Sequence, residues 1–182
     1  FFTGQNLPLE VREIKKPKPV KDQVLVRLHY AALNHRDLWL QQGSTPQQPV
    51  ILGSDGSGVI EAVGEDADSL LIGSEVVINP SLNWGNNPIV QGDAFQILGY
   101  PDSGTFSDYV CVSKKQIFEK PEHLSFEESA AVPLAGLTAY RALFSKARLR
   151  AKEKVLITGI GGGAALWALQ LAVAYQARVY VT

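Results

Sequence analysis

The 182-residue sequence contains no methionine and one cysteine. A single cysteine excludes an intramolecular disulfide and any zinc site built from several thiolates. The 17 Lys and Arg residues nearly balance the 18 Asp and Glu residues, for a formal net charge of −1. The basic excess that general nucleic-acid binding needs is therefore missing. No apolar run approaches the roughly 20 residues of a membrane-spanning helix, so we expect neither a nucleic acid nor a membrane as partner.

The two ends of the sequence are also unusual. No basic and then apolar leader opens the chain, so a cytoplasmic location is the default expectation. The chain has no initiator methionine and closes on the strand-like residues Val179–Thr182. These two features favour a fragment that is trimmed at both ends.

The overall composition predicts a folded chain. Hydrophobic residues make up 46% of the sequence and charged residues 19%, which is enough apolar material to bury a core and too little charge for a disordered tail. At roughly 150 residues per domain, the length predicts one domain and part of another.

The first two thirds of the chain carry the pattern of short strands. Apolar residues alternate along the segment 23–30, which predicts a half-buried strand. Segments 59–63, 75–78 and 106–112 are also strand-like, and glycines punctuate the chain from Gly53 to Gly73. Short strands separated by glycines predict a compact, strongly bent all-β unit. The residues predicted to share the buried face of the first strand are Val24, Val26, Leu28 and Tyr30.

Three helix starts stand out. Asn34 is placed to cap a short helix that Gly43 ends. Ser125 is followed three residues later by Glu128, which is a capping-box pattern. Apolar residues then recur at helical spacing as far as residue 144, with Pro133 near the start of a second helix.

The C-terminal part has a different character. Val155–Ile157 is a continuous apolar run, as expected for a parallel strand that is covered on both faces. A glycine turn over 159–163, an apolar helical segment over 164–174 and a strand over 178–181 follow it. This order predicts one βαβ unit.

The glycine turn predicts a dinucleotide site. A pyrophosphate needs free N–H groups at a helix N-terminus and no side chains in its way. Gly159, Gly161 and Ala164 fit the G-x-G-x-x-G/A fingerprint, and a second register through Gly162 and Ala165 fits equally well. The residue that separates NAD from NADP lies about 20 positions on, at or beyond the end of the chain.

Five motifs in order then resemble the medium-chain dehydrogenase/reductase superfamily. The resemblance implies a β plus α/β fold: a GroES-like β-barrel catalytic domain over 1–124, connecting helices over 125–150, and the first βαβ unit of an incomplete NAD(P)-binding Rossmann domain over 151–182. The five motifs are Asn34–Asp37, Gly53–Ile60, Gly104–Tyr109, Ala130–Pro133 and Leu137–Tyr140.

Differences from the zinc-dependent alcohol dehydrogenases indicate which branch of the superfamily the chain resembles. Asn34 stands where those enzymes carry a zinc-binding cysteine, and Ser54 replaces their histidine. Segment 79–104, which would hold the structural zinc, contains no cysteine; Cys111 is interpreted as a small buried apolar residue. The three histidines lack ligand spacing. The chain therefore resembles the zinc-free branch, which includes quinone oxidoreductases and enoyl reductases, and we expect no metal.

The same resemblance implies site residues. Asn34 is expected near the nicotinamide and the substrate, with helix capping as the alternative, and Asp37 is expected to orient its neighbours or to favour the helix dipole alone. His35 is expected at the pyrophosphate unless it is only solvated. Thr138 is expected beside the nicotinamide unless its hydroxyl bonds its own helix. The further cofactor contacts are Gly159, Gly161, Gly162, Gly163, Ala164 and Ala165.

The implied function is hydride transfer from NAD(P)H to a quinone, an enone or an activated carbonyl of a small molecule. NADP(H) is favoured over NAD(H) as the cofactor. We expect no zinc, and we expect the protein to form a homodimer. Quinone reductases carry tyrosines near the positions of Trp39 and Thr45, which counts against a quinone. The alternatives are a zinc-independent alcohol or aldehyde dehydrogenase and a cofactor-binding relative without catalysis.

Overall fold

The computed structural model describes all residues from Phe1 to Thr182. The chain forms nine strands and four α-helices, with a π-helical segment, Arg141–Lys146, directly after the third helix. The elements are β1 (Gln23–Ala32), α1 (His35–Gly43), β2 (Asp55–Val63), β3 (Glu75–Ile78), β4 (Ser81–Leu82), β5 (Gln96–Ile97), β6 (Tyr109–Ser113), β7 (Ile117–Glu119), α2 (Phe126–Ala130), α3 (Pro133–Tyr140), β8 (Lys154–Ile157), α4 (Gly163–Ala174) and β9 (Arg178–Val181).

The predicted all-β unit is a five-stranded antiparallel sheet in the order β6-β1-β2-β3-β7. Strands β1 and β2 approach so closely that a Cβ on Gly58 would lie 2.1 Å from the carbonyl oxygen of Arg27. Only a glycine fits at position 58, where the two backbones meet. The unit has one buried hydrophobic core. It consists of Val24, Val26, Ile60, Val76, Ile78, Leu98, Val110 and Val112.

The predicted alternation along β1 fails at its end. The pattern places Tyr30 on the buried face, yet this residue is 45% exposed. The β1–β2 register shifts between Leu28 and Tyr30, and a bulge of this kind re-aims the side chains that follow it. Leu25 on the opposite face is buried, so β1 is covered on both sides for part of its length.

The last strand-like segment of the β unit starts later than predicted. Strand β6 begins at Tyr109, because the backbone N–H groups of Thr105 and Phe106 donate to the carbonyls of Gly53 and Leu52. Cys111 lies in β6, partly buried rather than fully enclosed, and burial raises the pKa of its thiol.

Segment 79–104, called the lobe below, carries the small β4–β5 sheet. The ring of Trp84 packs edge-on against Phe95, and the guanidinium of Arg141 lies 4.1 Å from the centre of the Trp84 ring. Arg141 also donates two hydrogen bonds of 3.3 Å to the carbonyl oxygen of Pro88. The lobe is thereby held against the π-helical segment.

The helices follow the sequence signals closely. Ser125 and Glu128 form the predicted capping box at the start of α2, and α3 begins at Pro133. The predicted helical run continues past α3, but it continues as a π-helix. Helix α1 begins after Asn34 and includes Gly43 as its last residue.

The predicted βαβ unit is present, with β8 and β9 parallel and α4 between them in sequence. The apolar run of β8 predicts that Leu156 is covered, yet this residue is 63% exposed. The two strands form a sheet of their own, and one helix covers too little of it to bury both faces. None of the helices in the structure has the length and apolar character that a membrane crossing requires.

Candidate functional site

Asn34 occupies the turn between β1 and α1 in extended conformation, with φ −124° and ψ 149°. It is the N-cap residue of α1, and its backbone carbonyl accepts a hydrogen bond of 2.9 Å from the N–H of Asp37. The side-chain Nδ2 donates to Oδ2 of Asp55 at 2.9 Å. The carboxamide of Asn34 is therefore turned toward β2 rather than used only on the helix that it opens.

Asp55, the first residue of β2, is 1% exposed. Its Oδ1 accepts a hydrogen bond of 2.8 Å from the backbone N–H of Leu134. Pro133, the first residue of α3, has no N–H, and Val132 before it supplies no side-chain cap. Asp55 thus caps α3 from another element of the fold and holds Asn34 at the same time.

Burial dominates the acidity of Asp55. Desolvation raises the pKa of its carboxyl to about 6, although the hydrogen bonds from Asn34 and Leu134 favour the charged form. The negative charge of Asp37 raises this pKa further. A carboxyl that changes charge near neutral pH beside a candidate ligand-binding group is a common feature of functional sites.

Asp37 holds the backbone of Asn34. Its Oδ2 accepts a hydrogen bond of 2.8 Å from the Asn34 N–H, while its Oδ1 is buried without a hydrogen-bond partner. Burial raises the pKa of this carboxyl, and the Asn34 N–H and the charge of Arg36 oppose that change. Asp37 therefore holds the backbone of Asn34 at the start of α1, and its role in a site stays a prediction.

Arg36 fills the space beside Ser54. Its guanidinium donates to the Ser54 hydroxyl at 3.2 Å and to three carbonyl oxygens at the base of the lobe, those of Ile97, Leu98 and Tyr100. The Ser54 hydroxyl itself donates to the Leu98 carbonyl at 2.7 Å. No group of three or more His, Cys, Asp or Glu residues is arranged to hold a metal ion.

The other two residues that the resemblance implies are exposed. His35 lies on the outer side of α1, with its ring centre 5.1 Å from that of Trp39. The hydroxyl of Thr138 donates to the Leu134 carbonyl of its own helix at 2.8 Å. Its lone pairs stay free to accept a hydrogen bond from a ligand.

The glycine turn precedes the 12-residue helix α4. Gly159 has φ +69°, and a Cβ at Gly159 or Gly161 would meet nothing within 4 Å. The N–H groups of Gly159 and Ile160 donate to the Thr182 carbonyl, which fixes the turn on β9. Gly162 is the N-cap residue of α4, and its N–H donates to the Gly159 carbonyl.

Four backbone N–H groups at the start of α4 donate no hydrogen bond within the chain. They belong to Gly161, Gly163, Ala164 and Ala165. Free N–H groups and the positive end of the helix dipole together make an anion-binding position. The open space over Gly159 and Gly161 lets a phosphate approach the backbone. Both registers of the fingerprint share Gly159, and the geometry accommodates either.

Sequence reasoning missed Asp55 as a site residue. A signal was present, because aspartate is depleted in strands and is seldom buried without a partner. The run Gly53–Gly58 sets this aspartate between glycines at the start of a strand. What the sequence could not supply is the position of Leu134, which lies 79 residues further along the chain.

The chain is similar to several known proteins. The sequence model of the alcohol dehydrogenase GroES-like domain matches residues 20–122. A zinc-type alcohol dehydrogenase-like protein of Leptosphaeria maculans is 35% identical, with 96% of this chain and 52% of that protein covered. The quinone oxidoreductase of Homo sapiens is 31% identical, with 93% of this chain and 46% of that protein covered.

Among solved structures, an NAD-dependent alcohol dehydrogenase superposes with a TM-score of 0.90 at 39% identity, covering 98% of this chain and 55% of that one. The chain spans about half the length of the curated relatives it matches. The matched residues include Asn34, Asp37 and Asp55, and the βαβ unit follows them. The chain belongs to the alcohol dehydrogenase GroES-like domain family, within the medium-chain dehydrogenase/reductase superfamily of oxidoreductases.

Proposed function

We propose that the protein is a zinc-independent, NAD(P)H-dependent oxidoreductase that reduces a quinone, an enone or an activated carbonyl of a small molecule. The observation that carries this proposal is the free set of N–H groups at the start of α4, behind a turn with φ +69° at Gly159. This arrangement suits the diphosphate of a nicotinamide dinucleotide.

The residues present fit such a cofactor. The N–H groups of Gly161 and Gly163–Ala165 would hold the diphosphate, and the open space over Gly159 and Gly161 would let it reach the backbone. His35 and Thr138 are the further cofactor contacts of the proposal. When bound, the reduced cofactor supplies the hydride, and a proton from solvent completes the reduction of the acceptor.

The chain's own contribution is orientation. The carboxamide of Asn34 does not titrate, so it offers the same donor and acceptor atoms at any working pH. Its backbone is held by Asp37 and its side chain by Asp55. A group held at two points loses little freedom when a ligand arrives, which favours a reactive alignment of cofactor and acceptor.

Zinc independence is supported by the groups at the two ligand positions. The amide of Asn34 is a weak zinc ligand, and the Ser54 hydroxyl is already bonded to Leu98 and Arg36. The fixed positive charge of Arg36 next to Ser54 disfavours a second cation there. The proposed reaction therefore takes place without a zinc ion to polarise the acceptor as a Lewis acid.

We further propose that the cofactor is NADP(H) rather than NAD(H) and that the protein is a cytoplasmic homodimer. The proposed domain limits lie at residues 124 and 150. A zinc-independent alcohol or aldehyde dehydrogenase is the second candidate. It is favoured by the 39% identity to a solved NAD-dependent alcohol dehydrogenase. A relative that binds the cofactor without turnover is the third.

The test follows the absorbance of reduced cofactor in the full-length protein. NADPH and NADH are each offered with a quinone, an enone, an aldehyde and, in the oxidised direction, an alcohol. Activity that a strong chelator leaves unchanged supports the proposal. Activity that the chelator abolishes and zinc restores overturns zinc independence. Cofactor binding with no turnover on any acceptor identifies a non-catalytic relative.

A further inference from the structure

Asn34 and Leu134 both donate to the same carboxylate, that of Asp55. We propose that Asp55 is a positioning residue, which fixes the orientation of the Asn34 carboxamide so that its oxygen is presented to a bound ligand. The inference rests on the proposed function, since it names the group that sets the geometry of Asn34 in that reaction. Nothing in the motif itself assigns this task.

The hydrogen bonds of Asp55 allow only one orientation of the Asn34 carboxamide. The Leu134 N–H is a backbone donor that cannot turn, so Oδ1 of Asp55 is held by α3. An ionised carboxylate only accepts hydrogen bonds, so the Asn34 carboxamide must turn its NH₂ group toward Oδ2. The Asn34 side-chain oxygen is then the atom of the carboxamide that Asp55 does not hold, and the inference assigns it as an acceptor for a ligand.

The ligand-facing atom of Asn34 is therefore an acceptor, and its complement on a ligand is a donor. The carboxamide NH₂ of a nicotinamide ring is a donor of that kind. A ring held through this group would be restricted in its orientation, and misalignment by a small distance can cost a large factor in rate. Asp55 acts on this contact through Asn34 and touches no ligand itself.

The plain structural alternative is that Asp55 only caps α3. The isosteric variant Asp55→Asn separates the two tasks. Its single oxygen must stay on the Leu134 N–H, which leaves its NH₂ group facing Asn34. Two NH₂ groups cannot pair, so the Asn34 carboxamide has to turn over and present NH₂ to the ligand. The cap of α3 survives while the orientation of Asn34 is inverted.

The double variant Asn34→Asp/Asp55→Asn provides the matched control. The new amide at position 55 keeps its oxygen on the Leu134 N–H and donates its NH₂ to the new carboxylate at position 34. An oxygen again faces the ligand, and the number of carboxylates in the site is unchanged. Positioning through Asn34 predicts that this exchange recovers part of what the single variant loses.

A readout that needs no turnover tests the orientation directly. The side-chain NH₂ signals of Asn34, identified by their loss in Asn34→Asp, are followed by NMR from pH 4.5 to pH 8. Desolvation places the pKa of Asp55 at about 6, so we expect these signals to move with a midpoint near that pH. The charged group that acts on Asp55 is Asp37 of α1, which itself lies beside Arg36. Asp37→Asn should lower the midpoint without removing it.

In Asp55→Asn the signals should lose this titration, and the Leu134 N–H signal should stay close to its original position. Titration that persists in Asp55→Asn overturns the inference, even if the enzyme turns over. Activity absent in the unaltered protein overturns the proposed function, and the NMR result still decides the role of Asp55.

Kinetics supply the second readout. We expect Asp55→Asn to lower kcat by about tenfold to a hundredfold with less than a threefold change in the dissociation constant of NADPH, because the diphosphate contacts are untouched. The double variant Asn34→Asp/Asp55→Asn should regain at least one third of the decrease in log kcat. An unchanged kcat in Asp55→Asn, with α3 intact, would mean that Asp55 acts only as a cap. An equal loss in both variants would overturn positioning through Asn34.

Discussion

The guanidinium of Arg36 donates a hydrogen bond of 3.2 Å to the hydroxyl of Ser54. Ser54 stands where zinc-dependent relatives carry a histidine ligand, so a fixed cationic side chain lies at that position in this chain. The remaining donors of Arg36 reach carbonyl oxygens at the base of the lobe. One side chain thus fixes α1, the start of the Asp55 strand and the lobe relative to one another.

Removing the guanidinium should destabilise the fold. In Arg36→Met the carbonyl oxygens of Ile97 and Tyr100 lose a charged donor, and bonds to charged groups contribute about 1.5–3 kcal/mol each. We expect the free energy of unfolding to fall by about 2 kcal/mol in chemical denaturation. Arg36→Lys should recover less than half, because one ammonium cannot reach four acceptors. A loss below about 0.5 kcal/mol in Arg36→Met would contradict this role.

Alanine substitutions at two nearby positions of the glycine turn should affect stability differently. Gly159 has φ +69° whereas Gly161 has no positive φ, and a Cβ meets nothing within 4 Å at either. We expect Gly159→Ala to lower the free energy of unfolding by about 1 kcal/mol through backbone strain. Gly161→Ala should leave it unchanged or raise it slightly, because it restricts the unfolded chain.

Denaturation of the two alanine variants side by side measures this difference. Gly161→Ala serves as the control, since it adds the same methyl group without the strain. Equal effects on stability would show that the conformation at Gly159 is not the constraint.

The buried carboxyl of Asp55 predicts a specific dependence of stability on pH. Its folded pKa of about 6 lies above the ordinary value of 3.8, so the folded state binds more protons between these pH values. The free energy of unfolding of the unaltered protein should therefore fall as the pH rises from about 4 to about 6. Asp55→Asn removes this contribution, so the stability of the variant relative to the unaltered protein should rise over the same pH range.

The quantity to measure is the difference in unfolding free energy between Asp55→Asn and the unaltered protein at several pH values. It should rise by about 2 kcal/mol between pH 4 and pH 6.5. Asp37 is present in both proteins, so its own titration largely cancels. A difference that stays flat over this range would mean that Asp55 is ionised with an ordinary pKa.

The contact of Arg141 with Trp84 should stabilise the lobe locally. A cation–π contact at a partly exposed position contributes about 0.5–1 kcal/mol, and the bonds of Arg141 to Pro88 add to it. We expect Arg141→Met to speed hydrogen exchange over residues 83–95 while the global free energy of unfolding changes by less than about 1 kcal/mol. Arg150→Met is the control, because the side chain of Arg150 makes no hydrogen bond or ion pair. Unchanged exchange in Arg141→Met would refute the attachment.

Local physics makes most of the fold predictable. The cap at Ser125, the proline at the start of α3 and the apolar run of β8 act within one or two turns of chain, so sequence alone places their elements. The prediction for Tyr30 is wrong because a register shift depends on the partner strand. The π-helical turn after α3 leaves no pattern that differs from an α-helix.

The site is predictable only in part, because its key bonds join distant segments. The motif containing Asn34 is found from the sequence, but its partner Asp55 lies 21 residues away. The bonds of Arg36 to Ile97 and Tyr100 span 61 and 64 residues. Spacing within a motif carries no information on such contacts, and the three-dimensional fold supplies them.

The central claim is that the N–H groups at the start of α4 bind the diphosphate of a nicotinamide dinucleotide. Its most direct measurement is an NMR titration of the full-length protein with NADPH, which follows the backbone amides of Gly161, Gly163, Ala164 and Ala165. We predict that these four signals shift together and saturate with one dissociation constant. Binding that leaves all four unmoved, or no binding at millimolar NADPH, would contradict the account.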